Sequence, residues 1–401
     1  MSVESIRIPA SREQRQVDAP VWQVRVGTRL SRVAAVAGIA LIVALAALPA
    51  IASRNLIQDL IFVFTMLTLA QLWNVLAGWG GLVSVGQQAF VGLGAYALFA
   101  GIVMAGLDPV AAIPLAGLFA ALVAAVLGPL LFRLEGPYFA IGSWVAAEAL
   151  RLICAQFKSL GGGTGMSISP GELSQMVGLK TVQALLGLRP AAARDVLVYW
   201  LALLLAVLVT LGIYAFMRSH HGLALAASRD NAAAARSVGV RTARTRYVLW
   251  IAVAFAAGMV GAVVYLQKAR ISPDAAFSVT DWTAYVIFIV VIGGVRTIEG
   301  PMVGVLLLWG LVTYLAQYGS LYLVVLGTLA ILIMLFMPTG VWGAAARRWQ
   351  LQLFPTRRRL GRSESSPTLT DLVSGKGQTG RPSNLASTAA FGPNADMSTG
   401  P

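Results

Sequence analysis

Charged side chains are scarce in this 401-residue chain, in which Asp, Glu, Lys and Arg make up 11% and hydrophobic residues 58%. Soluble domains carry about 25% charged residues, and water cannot solvate so large an apolar share in a monomer. No charged residue lies between Leu60 and Leu107 or between Gly300 and Ala346. Because a transmembrane helix needs about 20 apolar residues, each interval has room for two crossings. The sequence therefore excludes a water-soluble fold and predicts an all-α polytopic membrane protein with about ten transmembrane helices.

Residues with catalytic or metal-binding chemistry are also few. Cys154 is the single cysteine, which excludes an intramolecular disulfide and leaves the redox compartment undetermined. The two histidines, His220 and His221, are adjacent in a basic loop, which argues against a metal cluster. The G-x-x-x-x-G-K-S/T phosphate loop is absent from the sequence, and the Gly-Lys-Gly at 375–377 lacks the rest of that frame. The sequence therefore predicts a protein that is not an enzyme, that binds no metal or cofactor, and that takes any driving energy from ions or from another subunit.

Basic residues outnumber acidic ones by 30 to 16, and their distribution favours a membrane topology over nucleic acid binding. They concentrate in segments 1–32, 218–246 and 346–401, as expected for cytoplasmic segments, which are enriched in Lys and Arg. Phosphate binding is the competing interpretation, but contact with membrane lipid is preferred. An even number of predicted spans separates each pair of segments, so all three, with both termini, are expected in the cytoplasm. The predicted spans are Val33–Ala52, Leu60–Gly78, Ser84–Ala105, Val110–Phe132, Tyr138–Phe157, Val196–Met217, Tyr247–Gln267, Trp282–Val295, Pro301–Gln317 and Leu321–Met337.

Composition divides the chain into three regions. Residues 1–32 are predicted to form a cytoplasmic arm and 33–345 a transmembrane domain, with residues 158–195 outside the cell. Residues 346–401 are predicted to form a basic and then disordered tail, because Ser, Thr, Gly and Pro replace bulky apolar residues there. A regulatory tail stays open, although a dispensable extension is preferred.

Two predicted spans depart from a plain apolar helix. Ser84–Ala105 contains several glycines and the adjacent Gln87 and Gln88, which fit poorly against lipid, so it is predicted to pack inside the bundle or to be broken. Trp282–Val295 is short for a crossing and is expected to tilt or to extend past Arg296. The residues that follow predict a helix–turn–helix at the inner surface; they are Gly293, Gly294, Gly300 and Pro301.

One ion pair is predicted inside an otherwise apolar span. Glu148 and Arg151 are three residues apart and therefore share a helical face. Because charges in lipid are costly unless paired or hydrated, the pair is a candidate functional site. The alternative is an ion pair near the outer interface that anchors the helix, with Arg151 reaching toward Lys158 and water. Glu148 is the only acid that this topology places well inside a span, so an ion-driven transporter would have to use it.

An alanine-rich segment, Gly222–Val240, lies in the central basic loop. Alanine favours helix and Gly239 suits a helix end, so a short cytoplasmic helix is predicted here. The alternative is an ordinary basic loop held at the membrane surface.

The segment Ala77–Tyr96 resembles the G-x-x-S-x-G-(Q/H)-x-A-F-x-G-x-G-A-Y signature of the branched-chain amino acid ABC permeases, and within that family its LivM-type subunits. Further landmarks follow in the family's order, and the resemblance covers roughly residues 35–345. Arg296 stands where the family's turn has glycine. Ala232 stands where its coupling loop has glutamate, which removes one expected salt bridge. The landmarks are Glu135–Ile141 followed by Glu148, Gly161–Gly165, Ile292–Pro301 and Phe336–Gly340.

The resemblance implies that the chain forms one half of the channel of an ABC importer in a bacterial cytoplasmic (inner) membrane. The implied partners are a second permease subunit, two ATP-binding subunits that use the ATP, and an extracytoplasmic substrate-binding protein. Branched-chain or related amino acids are the expected cargo, while urea, amides and other small polar solutes stay open because related permeases carry them. An ion-driven secondary transporter is the alternative from another class. A scaffold or receptor is disfavoured by the glycine-rich, polar-interrupted helices.

Two sets of residues are candidate sites. The Gly222–Val240 segment resembles the coupling loop that docks on the ATPase subunit, which assigns ATPase coupling to Gly222, Arg229, Asp230, Asn231 and Gly239. For the substrate pathway we expect polar and aromatic side chains in or beside the spans, although tight helix packing is an equal alternative for either glutamine. The pathway candidates are Gln87, Gln88, Tyr96, Tyr138 and Glu148.

Overall fold

The computed structural model describes residues 22–25, 29–237, 239–319, 321–337, 339–349, 354 and 359–362. The elements in chain order are β1 (Trp22–Arg25), α1 (Arg29–Ala47), α2 (Arg54–Asn74, continued by a π-helical turn, Val75–Trp79), α3 (Gln87–Ala105), α4 (Pro109–Leu131), α5 (Pro137–Ala155), β2 (Met166–Ser167), α6 (Pro170–Ser174), α7 (Leu179–Leu186), α8 (Pro190–Arg218), α9 (His220–Asp230), α10 (Ala232–Ser237), α11 (Thr242–Lys268), β3 (Arg270–Ile271), α12 (Pro273–Ala276, followed by a second π-helical turn, Thr280–Ala284), α13 (Tyr285–Gly293), α14 (Glu299–Leu315), α15 (Leu321–Phe336), α16 (Gly340–Trp349) and β4 (Arg359–Arg362).

These residues belong to two compact units. Residues 27–356 form the first unit, which contains all the helices that the structure describes. In the second, β1 pairs antiparallel with β4, with Trp22 opposite Arg362 and Arg25 opposite Arg359. The expectations for residues 1–21 and for the tail after residue 362 lie outside the described residues.

Each predicted span corresponds to a helix, so the all-α membrane fold is confirmed. Among the described residues, nine helical stretches are long and apolar enough to cross a membrane, and α14, with 17 residues, is a shorter apolar helix. Local capping explains where some of them begin. The Ser53 hydroxyl accepts a bond from Leu56 N at 3.4 Å before α2, and the Asp108 carboxylate accepts one from Val110 N at 2.8 Å before α4.

The eighth span begins earlier than predicted and does not extend past Arg296. It starts at Pro273, continues through the turn Thr280–Ala284 and ends at Gly293. The extension was wrong because Gly294 (φ +134°) and Arg296 (φ +67°) adopt backbone conformations through which an α-helix cannot continue. The predicted helix–turn–helix is confirmed, since α14 follows directly.

The helix α3 packs inside the bundle, as its glycines predicted, and lies against α11. An added Cβ at Gly94 would lie 2.0 Å from the Gly258 carbonyl oxygen, and one at Gly261 would lie 2.0 Å from that of Val91. Only a hydrogen atom fits at such approaches, so these small residues set the distance between the two central helices.

The connections between helices lie at two ends of the bundle. The end that carries loop 80–86, α9, α10 and loop 294–298 is called the basic end below. The other, called the outer end, carries the connection from α5 to α8. There β2 pairs antiparallel with β3, and Arg54 forms a 2.7 Å ion pair with Asp195. The excess of Lys and Arg in cytoplasmic segments predicts that the basic end faces the cytoplasm.

Candidate coupling and pathway sites

The alanine-rich segment forms two helices instead of the single helix predicted. Between Asp230, the end of α9, and Ala232, the start of α10, Asn231 has an extended backbone (φ −153°, ψ 98°). Its side-chain oxygen accepts a 2.9 Å hydrogen bond from Ala234 N. Such a bond satisfies a free amide in the first turn of a helix, so Asn231 caps α10 and interrupts the longer helix. Gly239, at φ +84°, follows the end of α10 as predicted.

Gly222 lies where α9 turns back against the end of α8. An added Cβ would lie 2.6 Å from the carbonyl oxygens of both Phe216 and Met217. Backbone atoms cannot give way as a flexible side chain can, so any larger residue would push α9 away from α8. Further along α9, Leu225 and Ser228 are 0% and 1% exposed, which shows that one face of this helix is packed into the protein.

Arg229 connects α9 with the end of the second span. Its Nη1 donates a 3.1 Å hydrogen bond to the carbonyl oxygen of Gly78, within the turn Val75–Trp79. Arg246, near the start of α11, donates a 3.4 Å bond from Nη2 to the carbonyl oxygen of Ser228. The helix α9 is therefore bonded both to the end of α2 and to α11.

Loop 80–86, which links α2 to α3, is held by side chains from two helices. Trp73 of α2 donates from Nε1 to the Ser84 oxygen at 2.8 Å, and Ser143 of α5 accepts a 3.0 Å bond from Val85 N. Gly86 touches α5, where an added Cβ would lie 2.2 Å from the Ser143 oxygen. Residues 84–86, predicted as helix, thus belong to a fixed loop that leads directly into the buried α3.

The second loop at the basic end, 294–298, is bonded to α2 by two amide side chains that are both 0% exposed. Asn74 donates from Nδ2 to the Thr297 oxygen at 2.8 Å and accepts at Oδ1 from Arg296 N at 2.9 Å. Gln71 donates from Nε2 to the Ile298 oxygen at 2.7 Å. At φ +67°, Arg296 has the conformation that glycine adopts most readily, so these bonds stabilise a strained turn.

Gln87 and Gln88, at the start of α3, are 3% and 1% exposed. Gln87 donates from Nε2 to the Leu69 oxygen of α2 at 3.0 Å, and the Gln88 Oε1 accepts a hydrogen bond from the Thr283 hydroxyl. Both amides join neighbouring helices, the arrangement that the packing alternative describes. A role in the substrate pathway stays a prediction for both.

The other pathway candidates differ in environment. Tyr96 is 3% exposed, its hydroxyl has no hydrogen-bond partner among the described residues, and it lines an apolar groove of ≈ 540 Å³ with Phe119 and Cys154. Tyr138, at the start of α5, is 70% exposed, and the Glu148 side chain is 46% exposed. Of the five pathway candidates, only Tyr96 lines this groove, and none of them lines the cavity of ≈ 210 Å³ described below.

Glu148 and Arg151 form the predicted ion pair, with 2.6 Å between Arg151 Nη2 and Glu148 Oε1. The Arg151 Nη1 also lies 2.6 Å from a carboxylate oxygen of Asp274 in α12, 123 residues further along the chain. Sequence analysis missed this second partner because no local pattern connects two residues so far apart. Asp274 is 83% exposed and follows β3 closely, so the three side chains lie near the outer end, where the anchoring alternative places them.

Sequence analysis also missed two charges near the outer end. Lys268 is the last residue of α11, Asp281 lies in the turn Thr280–Ala284, and both line a cavity of ≈ 210 Å³. One predicted span ended one residue before Lys268, and the next began one residue after Asp281. Asp281 lies inside a membrane-length helical stretch, as do Asp59, Asp195 and Asp274, so Glu148 is not the only acid in such a stretch. The available signal was a pair of opposite charges at the ends of consecutive apolar runs.

Comparison with known proteins identifies the family. Residues 55–337 match the family model described as the permease component of branched-chain amino acid transport systems. The chain is 28% identical over 304 residues to the high-affinity branched-chain amino acid transport system permease protein LivM of Escherichia coli (strain K12), covering 73% of this chain and 71% of that one. The LivM protein of Salmonella typhimurium (strain LT2) matches with the same identity and coverage. No solved structure matches significantly. The chain therefore belongs to the family of branched-chain amino acid permease components.

Proposed function

We propose that this protein is one of two permease subunits of an ATP-driven importer for branched-chain or related amino acids. The names of both LivM relatives, which specify branched-chain amino acid transport, support the substrate class. The partners in this proposal are a second permease subunit, two ATP-binding subunits and an extracytoplasmic substrate-binding protein. The chain itself binds no cofactor, because the ATP is used by the partners. Its place is a bacterial cytoplasmic membrane, with the basic end and both termini in the cytoplasm.

One contact carries the proposal, the hydrogen bond from Arg229 to the Gly78 oxygen. An importer driven by separate ATPase subunits needs a cytoplasmic segment that passes a displacement to its transmembrane helices. The helices α9 and α10 combine the two surfaces that this task requires. Ala234 and Arg236 of α10 are exposed and open to a partner, whereas Leu225 and Ser228 of α9 are buried against the bundle.

The remaining coupling candidates set the shape of this segment. Gly222 lets α9 lie against α8, Asn231 caps α10 and fixes the break between the two helices, and Gly239 allows the chain to turn toward α11. Asp230 occupies the last position of α9. Because α9 is bonded to α2 and α11, a shift of α9 and α10 would move α11, which packs against α3, and α2, which Gln87 bonds to α3, and the substrate route would open alternately to each side.

The test is reconstitution of the full-length protein in liposomes with its second permease and ATP-binding subunits. The expected results are co-purification of the ATP-binding subunits and uptake of labelled leucine that requires both ATP and the binding protein and is competed by isoleucine and valine. Uptake driven by an ion gradient without ATP would overturn the proposal in favour of a secondary transporter. Competition by urea or amides but not by isoleucine would overturn the amino acid assignment.

A further inference from the structure

A small cavity near the outer end is lined by two opposite charges, Lys268 and Asp281. It measures ≈ 210 Å³, lies between α2, α11 and the turn Thr280–Ala284, and is called the Lys268–Asp281 cavity below. Sites for drug-sized ligands measure about 300–1,000 Å³, so a small solute is the suitable occupant. π-Helical turns are rare and occur frequently at functional sites, and this one supplies both Asp281 and Trp282.

Two opposite charges line this cavity without forming a direct ion pair. The ion pairs within 4.0 Å among the described residues do not include Lys268 with Asp281. The Lys268 Nζ lies 5.3 Å from the centre of the Tyr265 ring and 5.2 Å from that of Trp282, and the two rings are 0% and 3% exposed. These cation–π contacts hold the ammonium group but leave its N–H donors available to an anionic acceptor.

Charges in membrane-length helices are costly, and they are retained where they pair with each other or with a ligand. Here the cation and the anion face one space instead of each other. A molecule that carries both charges would satisfy both side chains at once, with its anionic group at Lys268 and its cationic group at Asp281.

The rest of the cavity wall indicates which kind of side chain such a molecule would carry. Phe62 and Met66 of α2 and Val264 of α11 contribute apolar surface, and burial of a hydrocarbon side chain against them is favourable. Thr65, which also lines the cavity, donates its hydroxyl proton to the Ile61 oxygen at 2.8 Å and therefore presents no free donor. The larger groove beside Tyr96 is almost entirely apolar and offers no such pair of charges.

We propose that the Lys268–Asp281 cavity binds an α-amino acid with an apolar side chain, its carboxylate at Lys268, its ammonium group at Asp281 and its side chain against Phe62, Met66 and Val264. This inference rests on the proposed function and adds a place in this chain where the substrate itself is recognised after release from the binding protein. Substrate selection would then be shared between the two proteins.

The test is direct binding of labelled L-leucine to the full-length chain in lipid nanodiscs. Leucine binding is expected to saturate, to be competed by isoleucine and valine, and to be competed about tenfold less well by 4-methylpentanoate or 3-methylbutylamine, which each lack one of the two charges. Lys268→Met and Asp281→Asn are each expected to weaken binding about tenfold or more, while Lys268→Arg and Asp281→Glu retain most of it. Lys180→Met is the matched control, because Lys180 is an exposed lysine in α7 at the outer end.

The absence of saturable leucine binding, or equal affinity in Lys268→Met, Asp281→Asn and Lys180→Met, would overturn the inference. Loss of folding is recognised separately, because a variant that fails to fold elutes as aggregate. A variant that elutes like the unaltered protein but no longer binds leucine has lost the site, and the charge-retaining variants should elute normally and bind.

ATP-dependent leucine uptake by the reconstituted importer separates this inference from the proposed function. Normal uptake by the double variant Lys268→Met, Asp281→Asn would remove the site and leave the function intact. Absent uptake by the unaltered protein would remove the function, while leucine binding lost in both variants would still support the site.

Discussion

The two loops at the basic end are both bonded to α2, but among the described residues only the first also lies against α9. Loop 80–86 lies beside α9, which is bonded through Arg229 to the turn that precedes the loop. Loop 80–86 is itself bonded to α2 through Trp73 and to α5 through Ser143. Loop 294–298 is bonded to α2 through Asn74 and Gln71, and it packs against Gly340 of α16. Under the proposed function, a displacement of α9 would therefore reach the turn before the first loop directly and the second loop only through α2.

Asn74→Leu is expected to have the largest effect on stability, because it removes two of the three side-chain hydrogen bonds that hold loop 294–298 to α2. The substitution leaves Arg296 N and the Thr297 oxygen without their partner in a partly buried position, and each such hydrogen bond contributes about 0.5–1.5 kcal/mol. Thermal unfolding in detergent should show a clear decrease in Tm. Asn55→Leu is the control, since Asn55 is exposed on the same helix. An equal Tm decrease in both variants would contradict the role assigned to Asn74.

Gly222→Ala tests how closely the cytoplasmic segment must pack. The added methyl group would lie 2.6 Å from two backbone oxygens, so α9 must shift and its bond to the second span is disturbed. ATP-dependent uptake is expected to fall about tenfold, the usual range for loss of coupling between sites. Gly212→Ala serves as the control because an added Cβ there meets nothing within 4 Å. Unchanged uptake by Gly222→Ala would show that this close approach is unimportant.

Arg229→Gln distinguishes coupling from folding at the first loop. The shorter, uncharged side chain loses the bond to the Gly78 oxygen while the buried face of α9 is kept. Uptake is expected to fall by roughly threefold to tenfold with little change in Tm, since one partly buried hydrogen bond contributes about 0.5–1.5 kcal/mol. Arg244→Gln, at an exposed arginine nearby, should leave uptake unchanged. A parallel loss of Tm and uptake would assign Arg229 a structural role only.

The smallest expected effect concerns the hydrogen bond between Thr283 and Gln88, which joins α3 to the turn before α13. Gln88→Leu and Thr283→Val test it. A double-mutant cycle on unfolding free energy is expected to give a coupling energy of about 1 kcal/mol between these two side chains. A coupling energy indistinguishable from zero would mean that this hydrogen bond does not stabilise the fold.

Much of the fold could be predicted, because long apolar intervals and basic connections are strong signals in membrane proteins. The burial of α3 followed from its glycines, and the ion pair between Glu148 and Arg151 followed from helical spacing. The break at Asn231 was missed because alanine on both sides favours a continuous helix, and only the cap bond to Ala234 N shows that the chain prefers to turn.

The long-range contacts could not be predicted from local patterns. Asn74 meets Thr297 across 223 positions of the chain, and Arg229 meets Gly78 across 151. The charges Lys268 and Asp281 were assigned to loops because hydropathy places the end of a helix at the first charge. The structure continues both helices to include these residues, since their side chains reach a shared cavity instead of lipid.

The central claim is that α9 and α10 receive the action of an ATPase from the cytoplasmic side. The most direct measurement is labelling by a membrane-impermeant maleimide in a Cys154→Ala background, which removes the single native cysteine. In inverted vesicles the Ala234→Cys variant should be labelled, and added ATP-binding subunits should protect it, while the Lys180→Cys variant should be labelled only in right-side-out vesicles. Labelling of Ala234→Cys in right-side-out vesicles would contradict the account, because an exterior segment cannot contact a cytoplasmic ATPase.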